Sequence, residues 1–163
     1  MQPMVLESRP LCRVSIILES GAPIEVGRTP WRNRRISHIT GGTFEGDRMS
    51  GRVVPGGGDW SELAMSGEGD AQTLLDVRAL WETGDGARIY VTYAGRLVIP
   101  NDKLAAFRDP EALAALGPGD YYFRIVPLFE TAAERYGWLN RIVAAGIGRR
   151  TADGVDYDIF EIV

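Results

Sequence analysis

Between Gly41 and Trp60 the chain reads GGTFEGDRMSGRVVPGGGDW, with seven glycines and one proline in twenty residues. Glycine loses more conformational freedom on folding than any other residue. Such a density therefore fits only a backbone that turns tightly or approaches something closely. Thr43-Phe44 closes one strand, Glu45-Gly46-Asp47 turns the chain, and Met49 to Val54 forms the next strand. Pro55-Gly56-Gly57-Gly58 then reads as a wide, flexible turn that delivers Asp59 and Trp60 to its far side.

The flanking sequence is mostly strand. Leu11–Leu18 is rich in Val and Ile and stops at Gly21 and Pro23, Ile24–Val26 pairs as a short strand, and Arg35–Thr40 alternates after a loop over Gly27–Asn33. Ser61–Ala71, with Gly67 and Gly69, reads as a mobile connection. Gln72–Trp81 and Ala87–Val98 flank Gly84-Asp85-Gly86 as a tight hairpin. Tyr121–Phe129, Trp138–Gly148 and Val155–Val163 complete the series. Asp102–Leu116 is the helical stretch, broken by Pro110 into one or two short helices. Eight or nine consecutive strands with one helical insertion predict an all-β, closed antiparallel barrel over 1–163 as a single domain. A barrel of about eight strands holds packed side chains or one small ligand.

Composition excludes several classes of function. At 163 residues, 45% hydrophobic and 25% charged, the chain has the balance of a globular domain with one core. No apolar run spans a bilayer and the N-terminal residues carry no secretory pattern. With Cys12 as the single cysteine, a reducing, cytoplasmic setting is expected, with no membrane partner. A net charge of -4 argues against nucleic acid as partner, and Arg28, Arg32, Arg34 and Arg35 read as a solvated basic loop. One histidine and one cysteine are too few for an ordinary zinc site, and no phosphate-binding glycine motif is present. The expectation is no metal and no cofactor.

Carboxylates, arginines and aromatics remain. Asp59 beside Trp60 fits a general acid or base, since an apolar neighbour lifts a carboxyl toward neutrality. Asp59 equally fits a turn cap bonded to its own backbone. Asp76 and Arg78 share a strand face roughly 6.6 Å apart, either as a buried ion pair or as a working pair that holds an oxyanion and moves a proton. Arg124, beside Tyr122 and Phe123, and Glu130 are weaker members of the same class. Trp138 and Asn140, two apart, offer a stacking surface and a polar handle. His38 reads first as a wall residue and then, with Thr43, as a contact for a bound molecule.

Several motifs together resemble a known family: Thr40-Gly41-Gly42-Thr43-Phe44-Glu45-Gly46, the Pro55–Trp60 loop, Leu75-Asp76-Val77-Arg78 and Asp85-Gly86. Tyr122-Phe123-Arg124, Pro127-Leu128-Phe129-Glu130-Thr131, Tyr136-Gly137-Trp138-Leu139-Asn140 and Gly146-Ile147-Gly148 extend the likeness over most of the chain. The chain resembles domain-of-unknown-function family 3237, the UPF0311 group. The resemblance implies a small closed barrel, similar in outline to lipocalin-like and allene-oxide-cyclase-like barrels, and no assigned reaction. The reading that follows is a barrel without cofactor that binds a small apolar or aromatic metabolite and transfers protons on it, as an isomerase, cyclase or lyase. A non-catalytic carrier is the alternative, and a homo-oligomer is left open. Asp59, Asp76, Arg78 and Arg124 are the catalytic candidates, and Trp60, His38, Thr43, Glu130, Trp138 and Asn140 the binding candidates.

Overall fold

The strands, in the computed structural model that describes residues 3–64 and 69–163, are β1 (Ser8–Leu18), β2 (Ile24–Arg28), β3 (Asn33–Gly46), β4 (Met49–Asp59) and β5 (Glu62–Leu63). They continue as β6 (Ala71–Thr83), β7 (Arg88–Ile99), β8 (Tyr122–Glu130), β9 (Val143–Arg150) and β10 (Gly154–Ile162). All pairings are antiparallel. The order β1-β10-β9-β8-β7-β6-β4-β3 closes when β3 returns to β1, giving an eight-stranded barrel. β2 lies outside β3, and β5 bridges β3 and β6. The lumen follows from period-two alternation. Along β6, Thr73, Leu75, Val77, Ala79 and Trp81 are buried, while Gln72, Leu74, Asp76 and Arg78 face outward.

Two short helices, α1 (Leu104–Arg108) and α2 (Pro110–Leu113), occupy the expected stretch. Pro110 lacks an N–H and so opens the second helix instead of continuing the first. The Asp109 carboxylate accepts the Glu111 N–H at 3.0 Å as its cap.

Three expectations are corrected. First, Pro55–Gly58 is not a loop: β4 continues through it to Asp59 as a bulged strand. Between Val54 and Gly58 β4 advances four residues, while β6 advances two from Leu80 to Arg78. The two extra residues keep the alternation, so Asp59 falls opposite the inward-facing Val77. Gly57 passes so near β6 that a Cβ there would stand 2.4 Å from the Arg78 carbonyl oxygen. Second, the strand expected from Trp138 begins at Val143; Glu134–Arg141 is a 3-10 helix instead. The Asn140 side chain sets it by accepting the Thr131 N–H at 2.8 Å and donating to the Thr131 carbonyl at 2.9 Å. Third, of the connection expected over Ser61–Ala71, residues 65–68, including Gly67, lie outside the described residues. Its start carries β5, and Ala71 already belongs to β6.

The two ends of the barrel are packed differently. At one end Trp81 stacks on Phe44 with centroids 4.7 Å apart and meets Phe129 edge-on at 5.9 Å. The 3-10 helix floors this end with buried Tyr136 and Leu139, and the Tyr136 hydroxyl donates to Asp85 in the β6–β7 turn. Toward the other end, above Ala79, the lumen lining becomes more polar. The bulges in β3 and β4 bend the wall at this level.

Candidate functional site

The open end encloses a cavity of about 530 Å³. Its apolar walls come from Leu75 and Val77 of β6, Leu97 of β7, Phe123 of β8 and Val155 of β10, with Phe107 of α1 at the mouth. Into this surface project Asp59, Arg35, Arg150, Tyr93, Tyr157 and the hydroxyls of Ser37, Ser61 and Thr73. Each strand residue arrives by alternation. Ser37 on β3 pairs with Asp59 on β4, and Arg35 lies two residues further toward the mouth, about 7 Å along the strand.

Asp59 is half-buried, and its open side is the cavity. One carboxylate oxygen accepts the backbone N–H of Asp76 at 3.0 Å, which fixes its orientation. Burial pushes the Asp59 carboxyl up to about 6, against the lowering effects of that N–H and of the Arg35 charge. Tyr93 and Tyr157 pack edge to face with centroids 5.5 Å apart, and Phe123 meets Tyr157 at 5.4 Å. Burial raises both phenols, and the Asp59 charge raises them further, so they stay protonated donors at neutral pH. The arrangement places a carboxyl raised to about 6 beside a pair of neutral, mutually hydrogen-bonded phenols and a guanidinium, in largely apolar surroundings. Such a set can take up or give a proton while stabilising negative charge on an adjacent oxygen.

Of the residues singled out from sequence, Asp59 is the one that lines this cavity. Trp60 does not. Its N–H donates to the Asp76 carbonyl, its ring folds back over Gly58, and the Arg78 guanidinium sits above it at 5.7 Å. Asp76 and Arg78 do share a face, but it is the outer one: they stand 3.5 Å apart with side chains 52% exposed each, so the buried pair is corrected to a surface pair. Arg124, also on the outer face, donates to its own neighbour's carbonyl, Phe123 O, at 2.9 Å and covers the Tyr122 ring. His38 is on the opposite face of β3 from Ser37, beside the turn at Glu19–Pro23. Thr43 and Glu130 are exposed on outer faces. Trp138 and Asn140 belong to the floor helix at the far end, where Trp138 packs under Arg48 at 3.9 Å. The expectation that Trp60, Trp138 and Asn140 line one cavity with Asp59 is therefore corrected.

The small residues of β9 also have a packing explanation. A Cβ on Gly148 would lie 2.6 Å from the Phe123 ring, so that glycine makes room for a neighbour and not for a ligand. The cavity residues that sequence reasoning misses are Arg35, Tyr93, Tyr157 and Arg150. Arg35, expected in a solvated loop, belongs to β3 and faces the lumen. The signal that finds it is parity, since Arg35, Ser37 and Ile39 alternate on one face, as do Val155, Tyr157 and Ile159.

Comparison with other proteins agrees with this architecture. Residues 6–162 match the family described as "Protein of unknown function (DUF3237)". A UPF0311 protein of Bradyrhizobium diazoefficiens is 32% identical over 151 residues, spanning 91% of this chain and 93% of that one. The crystal structure of a beta-barrel like protein from Acinetobacter baumannii is 34% identical and covers 99% of both chains, with a TM-score of 0.81. An enzyme from Penicillium herquei, 19% identical with a TM-score of 0.68 over 100% of this chain and 98% of its own, shares the fold alone. With every strand from β1 to β10 inside the matched span, the chain belongs to the DUF3237 family, the UPF0311 group.

Proposed function

We propose that this barrel binds a small, largely apolar or aromatic molecule in its open end and moves a proton on it with Asp59. The observation that carries the reading is a single carboxyl, anchored by the Asp76 N–H and raised to about 6, facing an apolar cavity of about 530 Å³. A base is most effective when its pKa lies near the working pH, and Asp59 meets that condition. In the proposed step the ionised carboxylate removes a proton from a carbon next to a carbonyl. The electron pair moves onto the carbonyl oxygen, where the Tyr93–Tyr157 phenol pair supplies a donor. Return of the proton to another carbon is isomerisation; loss of a β-substituent is elimination. The same acid can protonate an alkene carbon while an internal hydroxyl bonds to its neighbour and gives its own proton back to the carboxylate, which is cyclisation. The first two use one carboxyl and one oxyanion partner, and the third uses the carboxyl alone; all three are favoured by largely apolar walls.

The test is a panel of cyclic β,γ-unsaturated ketones and hydroxyalkenes, followed by ultraviolet absorbance and by deuterium uptake from solvent. Wild-type protein should catalyse exchange or rearrangement on at least one member. Asp59→Asn should keep binding within a few-fold and lower turnover by roughly 10²–10⁴. Tight binding with no exchange in the wild type would replace the enzyme with a carrier. Unfolding of Asp59→Asn would make the carboxyl a structural cap.

A further inference from the structure

The mouth of the cavity holds more positive charge than proton transfer requires. Arg35 from β3, Arg108 from the end of α1 and Arg150 from the end of β9 all line it. They come from three elements far apart in sequence, so their convergence is a product of barrel closure. The chain as a whole carries a charge of -4, which makes a local concentration of guanidinium groups against the overall balance a feature of this site. Among the described residues none of the three has a carboxylate within ion-pair distance, whereas Arg34, adjacent to Arg35, is paired with Glu62 at 3.2 Å. The nearer acids are Glu25 and Asp59 toward Arg35, and Asp153 toward Arg150. Arg150 spends one N–H on the Gly154 carbonyl, and its backbone N–H on the Tyr121 hydroxyl.

The three groups also oppose one another. Burial lowers Arg35 and Arg150, Arg108 lowers Arg35 further, and Arg35 does the same to Arg150. Arg35 and Arg150 are half-buried and Arg108 is exposed; Glu25 and Asp59 offset part of the burial of Arg35, and Asp153 part of that of Arg150, but none is in ion-pair contact, so an anion placed among the three supplies the missing partner. Below the arginines the walls are apolar, down to Asp59 and the two tyrosines.

We propose, resting on the reading of this cavity as the ligand site, that its natural ligand is a carboxylate. Its anionic head lies at the mouth between Arg35, Arg108 and Arg150, and its apolar or aromatic body points down toward Asp59. The planar fork of a guanidinium matches a carboxylate in two parallel hydrogen bonds, which fixes the depth and rotation of the body beneath it. The head-down alternative would set a carboxylate against Asp59, like charge to like. The arginines therefore choose which end of the substrate meets the base.

The test compares three probes of one shape, 2-naphthoate, 2-naphthamide and 2-naphthyl phosphate, by calorimetry and by chemical-shift perturbation on the full chain. The naphthoate should bind at least tenfold tighter than the amide. Arg35→Met should reduce that ratio to within about threefold of one, and Arg108→Ala should reduce it by a smaller factor. Both variants should fold, since Arg108 is exposed and Arg35→Met keeps an apolar stem while removing a charge that burial disfavours; the amide's own affinity provides the internal check. Equal binding of naphthoate and amide would overturn the carboxylate assignment and leave the cavity reading standing. So would phosphate binding tenfold tighter than carboxylate. Shifts confined to residues outside the cavity, for all three probes, would overturn both.

Discussion

The two ends of the barrel are made by the same strands and solve opposite problems. At the floor, Trp81, Phe44 and Phe129 fill the lumen, and Trp81 is fully buried. Four residues back along β6, Val77 looks into open space shared with Asp59, Tyr93 and Tyr157. The floor breaks one rule of a core: among the described residues, the Trp81 Nε1–H is buried without a hydrogen-bond partner. The mouth violates several, with a carboxyl shifted from its ordinary range, buried phenols and guanidinium groups that repel one another. Proteins tolerate such conflicts at working sites and compensate for them elsewhere. In this barrel the floor supplies the compensation.

Truncation of the floor should give the largest effect. Trp81→Ala removes the centre of the aromatic stack and should cost about 3–5 kcal/mol in urea unfolding. A loss below about 2 kcal/mol would mean that the floor is not the stabilising end.

Neutralising the mouth should act in the other direction. Asp59 has an ordinary value of 3.8 and a folded value of about 6. Below about pH 4 the carboxyl is neutral in both states and costs nothing. Between about 4 and 6 it ionises more readily in the unfolded chain, so stability falls as pH rises through that window and stays lowered above it. Asp59→Asn retains the acceptor for the Asp76 N–H and removes the charge. A tenfold change in a protonation equilibrium is worth roughly 1.4 kcal/mol, so at pH 7 the variant should gain about 1–3 kcal/mol. Its thermal midpoint should no longer fall between pH 4 and 6.

How far these two ends are legible in the sequence differs as well. The β6–β7 hairpin is legible because Asp85-Gly86 supplies its turn and both arms alternate cleanly. The helical stretch is legible because Pro110 marks the break. The floor helix is not, since Glu134–Arg141 carries no apolar period and is held by Asn140 reaching back to Thr131. At the mouth, Asp59 stands out through its glycine run, yet for a different reason than expected: the glycines form a bulge that keeps parity, not a loop. The inward face of β6 is ambiguous because Leu74 and Leu80 make its outer face apolar too, which leaves Asp76 and Arg78 in doubt. Arg35, Tyr93, Tyr157 and Arg150 meet only after β1 pairs with β3, and no local pattern records that closure.

A matched pair sharpens the contrast with less perturbation. Val91 faces the packed lumen and Val77 the cavity; they are 0% and 3% exposed. Each loses the same two methyl groups on change to Ala, but only Val91→Ala opens a new void. Val91→Ala should cost about 1 kcal/mol more than Val77→Ala in parallel denaturant titrations. Equal costs would mean that the cavity closes in solution.

The smallest effect belongs to the outer wall. Asp76 and Arg78 are half exposed, and exposed pairs contribute about 0–1 kcal/mol. A double-mutant cycle of Asp76→Asn and Arg78→Met should show coupling below about 1 kcal/mol; coupling of about 3 kcal/mol or more would place the pair in a dry environment after all.

The most direct measurement is a carbon-detected NMR titration of the aspartate carboxyls in the wild-type protein, with Asp59→Asn assigning the resonance. The Asp59 carboxyl should titrate with a midpoint near 6, the value set by its burial in the cavity wall. A midpoint near its ordinary 3.8 would mean a solvated carboxylate, and the proton-transfer site at the open end of the barrel would not exist.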